Sequence, residues 1–188
     1  GSLNAPWNSE FAIFQGAPGT VQVDDSLGAI SAEGMQFVVD GYRIQGDAIN
    51  LTDPQSIIRV GAGASGMAAD VTATIASQLL GNVALVKTDL GTLVLEGDNA
   101  YSGGTIIRSG TVQISKDANL GDAAGSVLIS KGVLRNTAEL TTARSMIMGA
   151  GGGTFDTQAD LTVSGVISGD DSLKKTGAAT LILTAANT

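Results

Sequence analysis

The chain contains no cysteine and no histidine. Disulfides, thiolate nucleophiles and imidazole metal ligands are therefore excluded within it. A chain without cross-links must hold together by packing and backbone ladders. Proline is scarce, three residues in 188, and aromatics make up only 4%, so a core has to be built from Val, Ile, Leu and Ala. Basic residues are outnumbered, 10 Lys and Arg against 18 Asp and Glu, for a net charge of −8. A surface of that sign repels phosphate and argues against nucleic acid. The lack of basic clusters argues against anionic membranes. No apolar run is long enough to cross a bilayer, and no signal peptide is visible. Gly1-Ser2 has the look of a cloning scar, so native targeting signals are expected to have been cut away.

What the chain does have is 43% apolar residues and 26 glycines without a Gly-X-Y period. Many short β runs punctuated by glycine fit that composition. Residues 3–72 form the less regular part. Trp7, Phe11, Phe14, Phe37 and Tyr42 cluster there, placed to cover one end of a stack. Strands are expected at 20–23, 35–39 and 56–60, the last after the turn signal Asp53-Pro54.

Residues 73–188 are more regular. Leu85, Lys87, Thr88, Thr92, Leu93, Leu95 and Asn99 recur without a gap as Leu173, Lys175, Thr176, Thr180, Leu181, Leu183 and Asn187, 88 residues further on. A pattern that returns at fixed distance marks one unit stacked on the next. Within that span a small residue, then a β-branched or apolar one, then a large apolar one repeats. It does so at Gly91-Thr92-Leu93, Gly110-Thr111-Val112, Gly132-Val133-Leu134, Gly153-Thr154-Phe155 and Ala179-Thr180-Leu181. The intervals are 19, 22, 21 and 26 residues, which divide the unit into four turns of about 22. In one turn, strands at 111–114 and 126–129 flank a corner at 119–122. Alternation sends Val112 and Ile114 to one face, Thr111 and Gln113 to the other. About eight turns at 4.8 Å spacing give an all-β solenoid roughly 40 Å long. Helix competes only at residues 66–80, where Met67, Val71, Ile75 and Leu79 fall four apart. The alternation of Val71-Thr72-Ala73-Thr74-Ile75 favours strand.

Candidate chemistry is thin. Gly61-Ala62-Gly63-Ala64-Ser65-Gly66 matches a dinucleotide-loop spacing. However, no βαβ unit follows and residues 80–86 offer no carboxylate for a ribose, so it reads as a loop. Gly169-Asp170-Asp171-Ser172-Leu173 contains a serine but the chain has no histidine base. Gly151-Gly152-Gly153-Thr154-Phe155-Asp156 approaches a calcium nonapeptide without repeating in tandem. Asp24-Asp25 and Asp170-Asp171 could be paired acids, but neighbours in a strand face opposite ways and acids in turns are usually solvated. Asn99, Asn119 and Asn187 suit corners and hydrogen-bonded stacks. No catalytic residue, metal site or cofactor is expected.

The run Lys87-Thr88, Gly91-Thr92-Leu93-Val94-Leu95, Asn99-Ala100-Tyr101-Ser102-Gly103-Gly104-Thr105-Ile106, Gly110-Thr111-Val112 and Ala118-Asn119-Leu120-Gly121 resembles the passenger-associated transport repeat, or autotransporter-associated β-strand repeat, of bacterial type V secretion passengers. Residues 132–135 and 165–169 resemble its later segments, and Leu173–Thr188 the start of a second copy. Asp89 and Ala178-Ala179 stand where the family usually carries glycine. The resemblance implies a right-handed parallel β-helix, carried across the outer membrane of a Gram-negative bacterium by a membrane barrel of the same polypeptide. It marks Gly91, Thr92, Leu93, Asn99, Tyr101, Gly103, Gly104, Gly110, Gly132, Gly153, Leu181 and Asn187 as structural repeat markers.

The expected function is that of a non-enzymatic surface stem. It would support folding-coupled secretion and display adhesion or virulence determinants on the bacterial surface, or in secreted form. Expected partners are host-cell surface or extracellular-matrix components, or further copies of itself, with no nucleic acid. One alternative is the spine of a secreted autotransporter toxin or hydrolase whose active site lies elsewhere. Another is a carbohydrate-active β-helix, which would need a cleft with several carboxylates on one face.

Overall fold

The structure, a computed structural model, describes residues 10–63 and 69–188. Its strands are short because each is limited to one side of a coil, and glycine or Asp-rich corners end it. Eight coils stack into a parallel β-helix. The first sheet contains β1 (Phe11–Phe14), β4 (Gly34–Phe37), β7 (Gln55–Val60), β10 (Ala84–Thr88), β12 (Thr105–Ile107), β14 (Val127–Ile129), β17 (Met146–Met148) and β20 (Ile167–Ser168). The second contains β2 (Thr20–Val23), β5 (Tyr42–Gly46), β8 (Thr72–Ile75), β11 (Thr92–Leu95), β13 (Thr111–Ile114), β15 (Gly132–Asn136), β18 (Gly153–Thr157) and β21 (Leu173–Thr176).

The third face is interrupted. It holds β3 (Ile30–Ala32), β6 (Ile49–Leu51) and β9 (Leu79–Leu80) in the first three coils, and β16 (Leu140–Thr142), β19 (Leu161–Val163) and β22 (Leu181–Leu183) in the last three. Between them, coils four and five carry no strand on this face among the described residues. A 3-10 turn at Asp117–Leu120 takes that place in coil five. The strands expected at 20–23, 56–60, 111–114 and 126–129 are present within a residue or so, and the one expected at 35–39 spans Gly34–Phe37. Residues 72–75 and 79–80 are strands rather than helix. Met67 and positions 64–66 of the glycine-rich loop lie outside the described residues, as do Trp7 and Gly1-Ser2.

Alternation decides what enters the core. In β13 the pattern places Val112 and Ile114 inside and Thr111 and Gln113 outside. Stacked inward side chains form one column after another, such as Ile58, Lys87, Ile107, Ile129 and Met148 on the first sheet. A fully buried Leu such as Leu93, with no exposed surface, contributes about 1.5–3 kcal/mol by its burial. Phe14 stacks on Phe37 with ring centroids 4.9 Å apart, and Tyr42 tilts against both. Parallel strand packing thus takes these rings into the core of the first two coils. Phe11 instead lies outside, 38% exposed, against Gly34.

The strand register corrects the reading of the 88-residue echo. On the second sheet Thr92 pairs with Thr111, Thr111 with Val133, Val133 with Thr154 and Thr154 with Lys174, one partner per coil. Four coils therefore run from Thr92 to Lys174, six positions short of the echo, which carries Thr92 to Thr180. Ala179-Thr180-Leu181 does not continue the Gly-Thr-Leu column, because Leu181 pairs with Leu161 on the third face. The physical reason is that the echo copies strands and corners, while coil length varies with the corners in between. The six extra positions carry the second copy onward by one side of the coil. β10 of the first sheet returns as β21 of the second, and β11 of the second as β22 of the third.

Candidate functional site

Two of the repeat markers, Asn99 and Tyr101, lie on the interrupted third face, in coil four. Asn99, in coil four, accepts from the Leu79 backbone N–H at 2.8 Å and donates Nδ2 to the Asn119 carbonyl at 2.7 Å. Asn119, in coil five, donates to the Gly97 carbonyl at 2.9 Å and accepts from Ser115 and Lys116 N–H groups at 3.0 and 3.1 Å. Both amides are buried. Each replaces ladder hydrogen bonds that the missing strands would have supplied, which satisfies backbone groups that water cannot reach. Asn187 accepts from the Ile167 N–H at 2.9 Å, the same contact moved one repeat along and one face around.

Tyr101 is wholly buried, its hydroxyl 2.7 Å from Thr105 Oγ1, which in turn donates to the Leu120 carbonyl at 3.3 Å. Burial pushes the Tyr101 phenol above its ordinary value. Below this pair sits Arg144, 3% exposed. Its guanidinium is bidentate to the Asp117 carboxylate at 2.9 and 3.0 Å. The same group reaches the carbonyls of Asp117, Leu120, Gly121, Asp122 and Gly125. A planar fork of five N–H donors is the side chain able to close so many carbonyls at once.

Lys87 is the second buried cation. Alternation in β10 turns it inward, with no exposed surface, and its Nζ donates to the carbonyls of Thr88 at 2.7 Å, Asp89 at 2.8 Å and Ser109 at 3.3 Å. Three N–H bonds meet three acceptors across two coils. Burial pulls its pKa down to about 7, against the opposing charge of Asp89. Lys175 donates likewise to Thr176 and Gly177, at 3.4 and 2.8 Å. Asp89 itself stands at φ 61, the left-handed region, and its counterpart Gly177 at φ 78. That geometry explains the glycine preference here, and the ion pair of Asp89 with Arg59 at 3.1 Å compensates the departure.

The glycine markers mark close approach. A Cβ on Gly91 would lie 2.5 Å from the Val71 carbonyl oxygen, and Gly104 combines φ 80 with the Ser126 carbonyl 2.5 Å from such an atom. Gly103, Gly110 and Gly132 are likewise crowded against the preceding coil, and Gly153 against Met148 of its own coil and Ile129 of the preceding one. Thr92 faces out from β11 and Leu93 faces in. Leu181 is half-buried in β22.

The other candidates are occupied by turns. Asp24 accepts from the Ser26 N–H, and Asp171 accepts from Gly151 and Ser172 N–H groups at 2.8 and 2.7 Å. For Asp171, those backbone bonds from Ser172 and Gly151 hold the carboxyl below its ordinary value. Burial raises the Asp156 carboxyl, but Arg135 and Gln158 hold it low on balance, at 2.6 and 2.7 Å. Among the described residues, cavities of about 540 and 340 Å³ open at the two ends of the stack. Among the functional groups, Arg144 and the inward turn of Lys87 are not legible in one sequence. The recurrence of Lys175 is the single hint of the latter.

The sequence pattern of the passenger-associated-transport-repeat matches residues 85–114 and 173–188, which are the segments bearing Lys87, Asn99, Tyr101 and Asn187. The chain carries the repeats of an autotransporter passenger. It is 50% identical over 186 residues, 97% of its length, to a protein of Brucella suis biovar 1 (strain 1330) named adhesin BmaC autotransporter. The chain spans about a twentieth, 5%, of that relative's length. No solved structure matches it. Passengers of this kind are exported across the outer membrane to the bacterial surface, and the chain belongs there with them.

Proposed function

We propose that this chain is a non-enzymatic β-helical stem whose stacking supports its own export and displays adhesive surface beyond it. The observation that carries the reading is the use made of four polar side chains, the repeat markers Asn99 and Tyr101 together with Lys87 and Asn119. Lys87, Asn99, Asn119 and Tyr101 all direct their polar atoms into contacts within the stack, three of them bonding to backbone of a neighbouring coil. Side chains committed in this way hold one coil to the next and leave no proton donor or acceptor for a substrate. Each completed coil also presents a row of unpaired N–H and C=O groups that templates the following one. Chain emerging from a membrane barrel would thus be captured coil by coil, and folding would draw it outward.

The name of the Brucella relative supports the adhesive part of the reading. The surface that would touch host-cell or matrix components is proposed to be carried by the whole passenger. The test places Asn99→Ala in the full-length protein and follows arrival at the cell surface by protease accessibility, with the stability of the purified 188-residue chain measured in parallel. Loss of stability with a matching delay in surface arrival is expected. Destabilised chains exported at an unchanged rate would end the folding-coupled reading. Turnover of glycans by the purified chain would end the non-enzymatic one.

A further inference from the structure

At the first coil the stack ends in a cavity of about 540 Å³. Phe14, Val21, Val23 and Ile30 of the first coil form its wall, and Met35 and Ile44 of the second form its floor. The floor residues are buried, while Phe14 and Ile30 are only half-buried. A solenoid end left in this state exposes apolar core to water unless a segment covers it. Beside the cavity, β3 is the outer strand of its sheet among the described residues. The backbone groups it turns away from β6 form an edge that can take one more parallel strand.

The register of β1 identifies which residues reach that edge. Phe11 pairs with Gly34 and Phe14 with Phe37, 23 positions apart in each case. The same offset lays Trp7 on Ile30, Asn8 on Ser31, Ser9 on Ala32 and Glu10 on Glu33. The residue types agree at all four places. Acid meets acid at the corner, small meets small, polar meets polar, and a large apolar residue meets a large apolar residue. Ile30 heads an inward column that Ile49 and Leu79 continue, and Trp7 extends that column by one coil.

We propose that residues 7–9 form a further parallel strand on the outer edge of β3, with the Trp7 indole over Ile30 closing the cavity. The occupant is this chain's own segment because it leads directly into β1. Glu10 alone separates it from Phe11, as Glu33 alone separates β3 from β4. An indole brings about 150–250 Å² of surface to bury and one N–H that needs an acceptor. The cavity is apolar in its depth and polar at its rim, where Asp24 and Ser26 carry oxygen atoms. The proposal concerns this end of the stack and stands independently of folding-coupled export and of adhesion.

Trp7 is the one tryptophan of the chain, so its fluorescence reports this site alone. In the purified 188-residue chain its emission is expected at shorter wavelength than in urea, with acrylamide quenching several-fold weaker and no dependence on chain concentration. Ile30→Lys places a charge beneath the indole and should shift emission and quenching to near the unfolded level while the melting transition persists. Val21→Lys is the second variant if Ile30→Lys fails to fold. Ile182→Lys makes the same change at an exposed position of the last coil and should leave the fluorescence as in wild type. Because the chain has no cysteine, register can be read separately. Asn8→Cys with Ser31→Cys should oxidise to an intramolecular disulfide, since paired neighbours lie within its reach. Ser9→Cys with Ser31→Cys points to opposite faces and should not. Equal quenching of folded and urea-unfolded chain overturns the proposal, and so does shielding that survives both lysine variants. Shielding that appears only at high chain concentration would put a second copy on this end and overturns it too, as does equal cross-linking of the two cysteine pairs.

Discussion

At the scale of single residues, buried cations close backbone carbonyls at a corner of the coil and at the interrupted third face. Lys87 fills a core position with three N–H bonds to three carbonyls. Its lowered pKa, about 7 against 10.5 for a free lysine, fixes a pH dependence. Between those values the unfolded chain binds the extra proton, so stability rises with pH across the window, by at most about 1.4 kcal/mol per pH unit for one proton. Wild type should accordingly gain on Lys87→Met between pH 6 and pH 9 in urea titrations; a constant difference would show that the amine keeps its proton. Arg144 is the stronger case. Replacing it by Lys keeps the charge but offers three donors in place of five, leaving buried carbonyls around the 3-10 turn unpaired. A loss of about 2–4 kcal/mol is expected in Arg144→Lys, and an unchanged urea midpoint would mean that the carbonyls find other donors.

At the scale of elements, strand position is legible in the sequence and strand facing only partly so. The alternation in Thr111–Ile114 announces both. In Ala84–Thr88, apolarity suggests that Val86 points in and Lys87 out, and the register reverses both. Each coil is held by its neighbours above and below, and that information lies a full coil away along the chain rather than in the strand itself. Arg144 is hidden for the same reason, since every carbonyl it closes lies 19 to 27 residues earlier. The corner after β10 and β21 shows how equivalent positions diverge. Asp89 accommodates its left-handed φ with room for a side chain and an ion pair to Arg59. A Cβ at Gly177 would collide with the Thr157 backbone. Asp89→Gly should therefore stay within about 1 kcal/mol of wild type, relief of strain offsetting the lost pair. Gly177→Ala should cost about 2 kcal/mol or more. Equal effects of the two substitutions would show that the corner relaxes.

At the scale of the molecule, two periods run through the chain: four coils carry Thr92 to Lys174, while one repeat carries it to Thr180. Because the repeat overshoots by one side, its corner chemistry winds around the prism while the core columns run straight. Lys87 caps the corner between the first and second sheets, and Lys175 the next corner round. Such a stack is joined by nearest-neighbour contacts, so local damage should remain local. The junction built by Asn99, Asn119 and Arg144 is where coils without a third strand connect the two halves of that face. Arg144→Met removes the clamp without adding charge. Native-state hydrogen exchange should then show faster exchange of amides in residues 115–146, with β5, β8 and the upper first sheet nearly unchanged. Uniform acceleration through all eight coils would make the chain a single cooperative unit. In that event export could not proceed coil by coil, because no partly assembled stack would be stable enough to hold the chain outside.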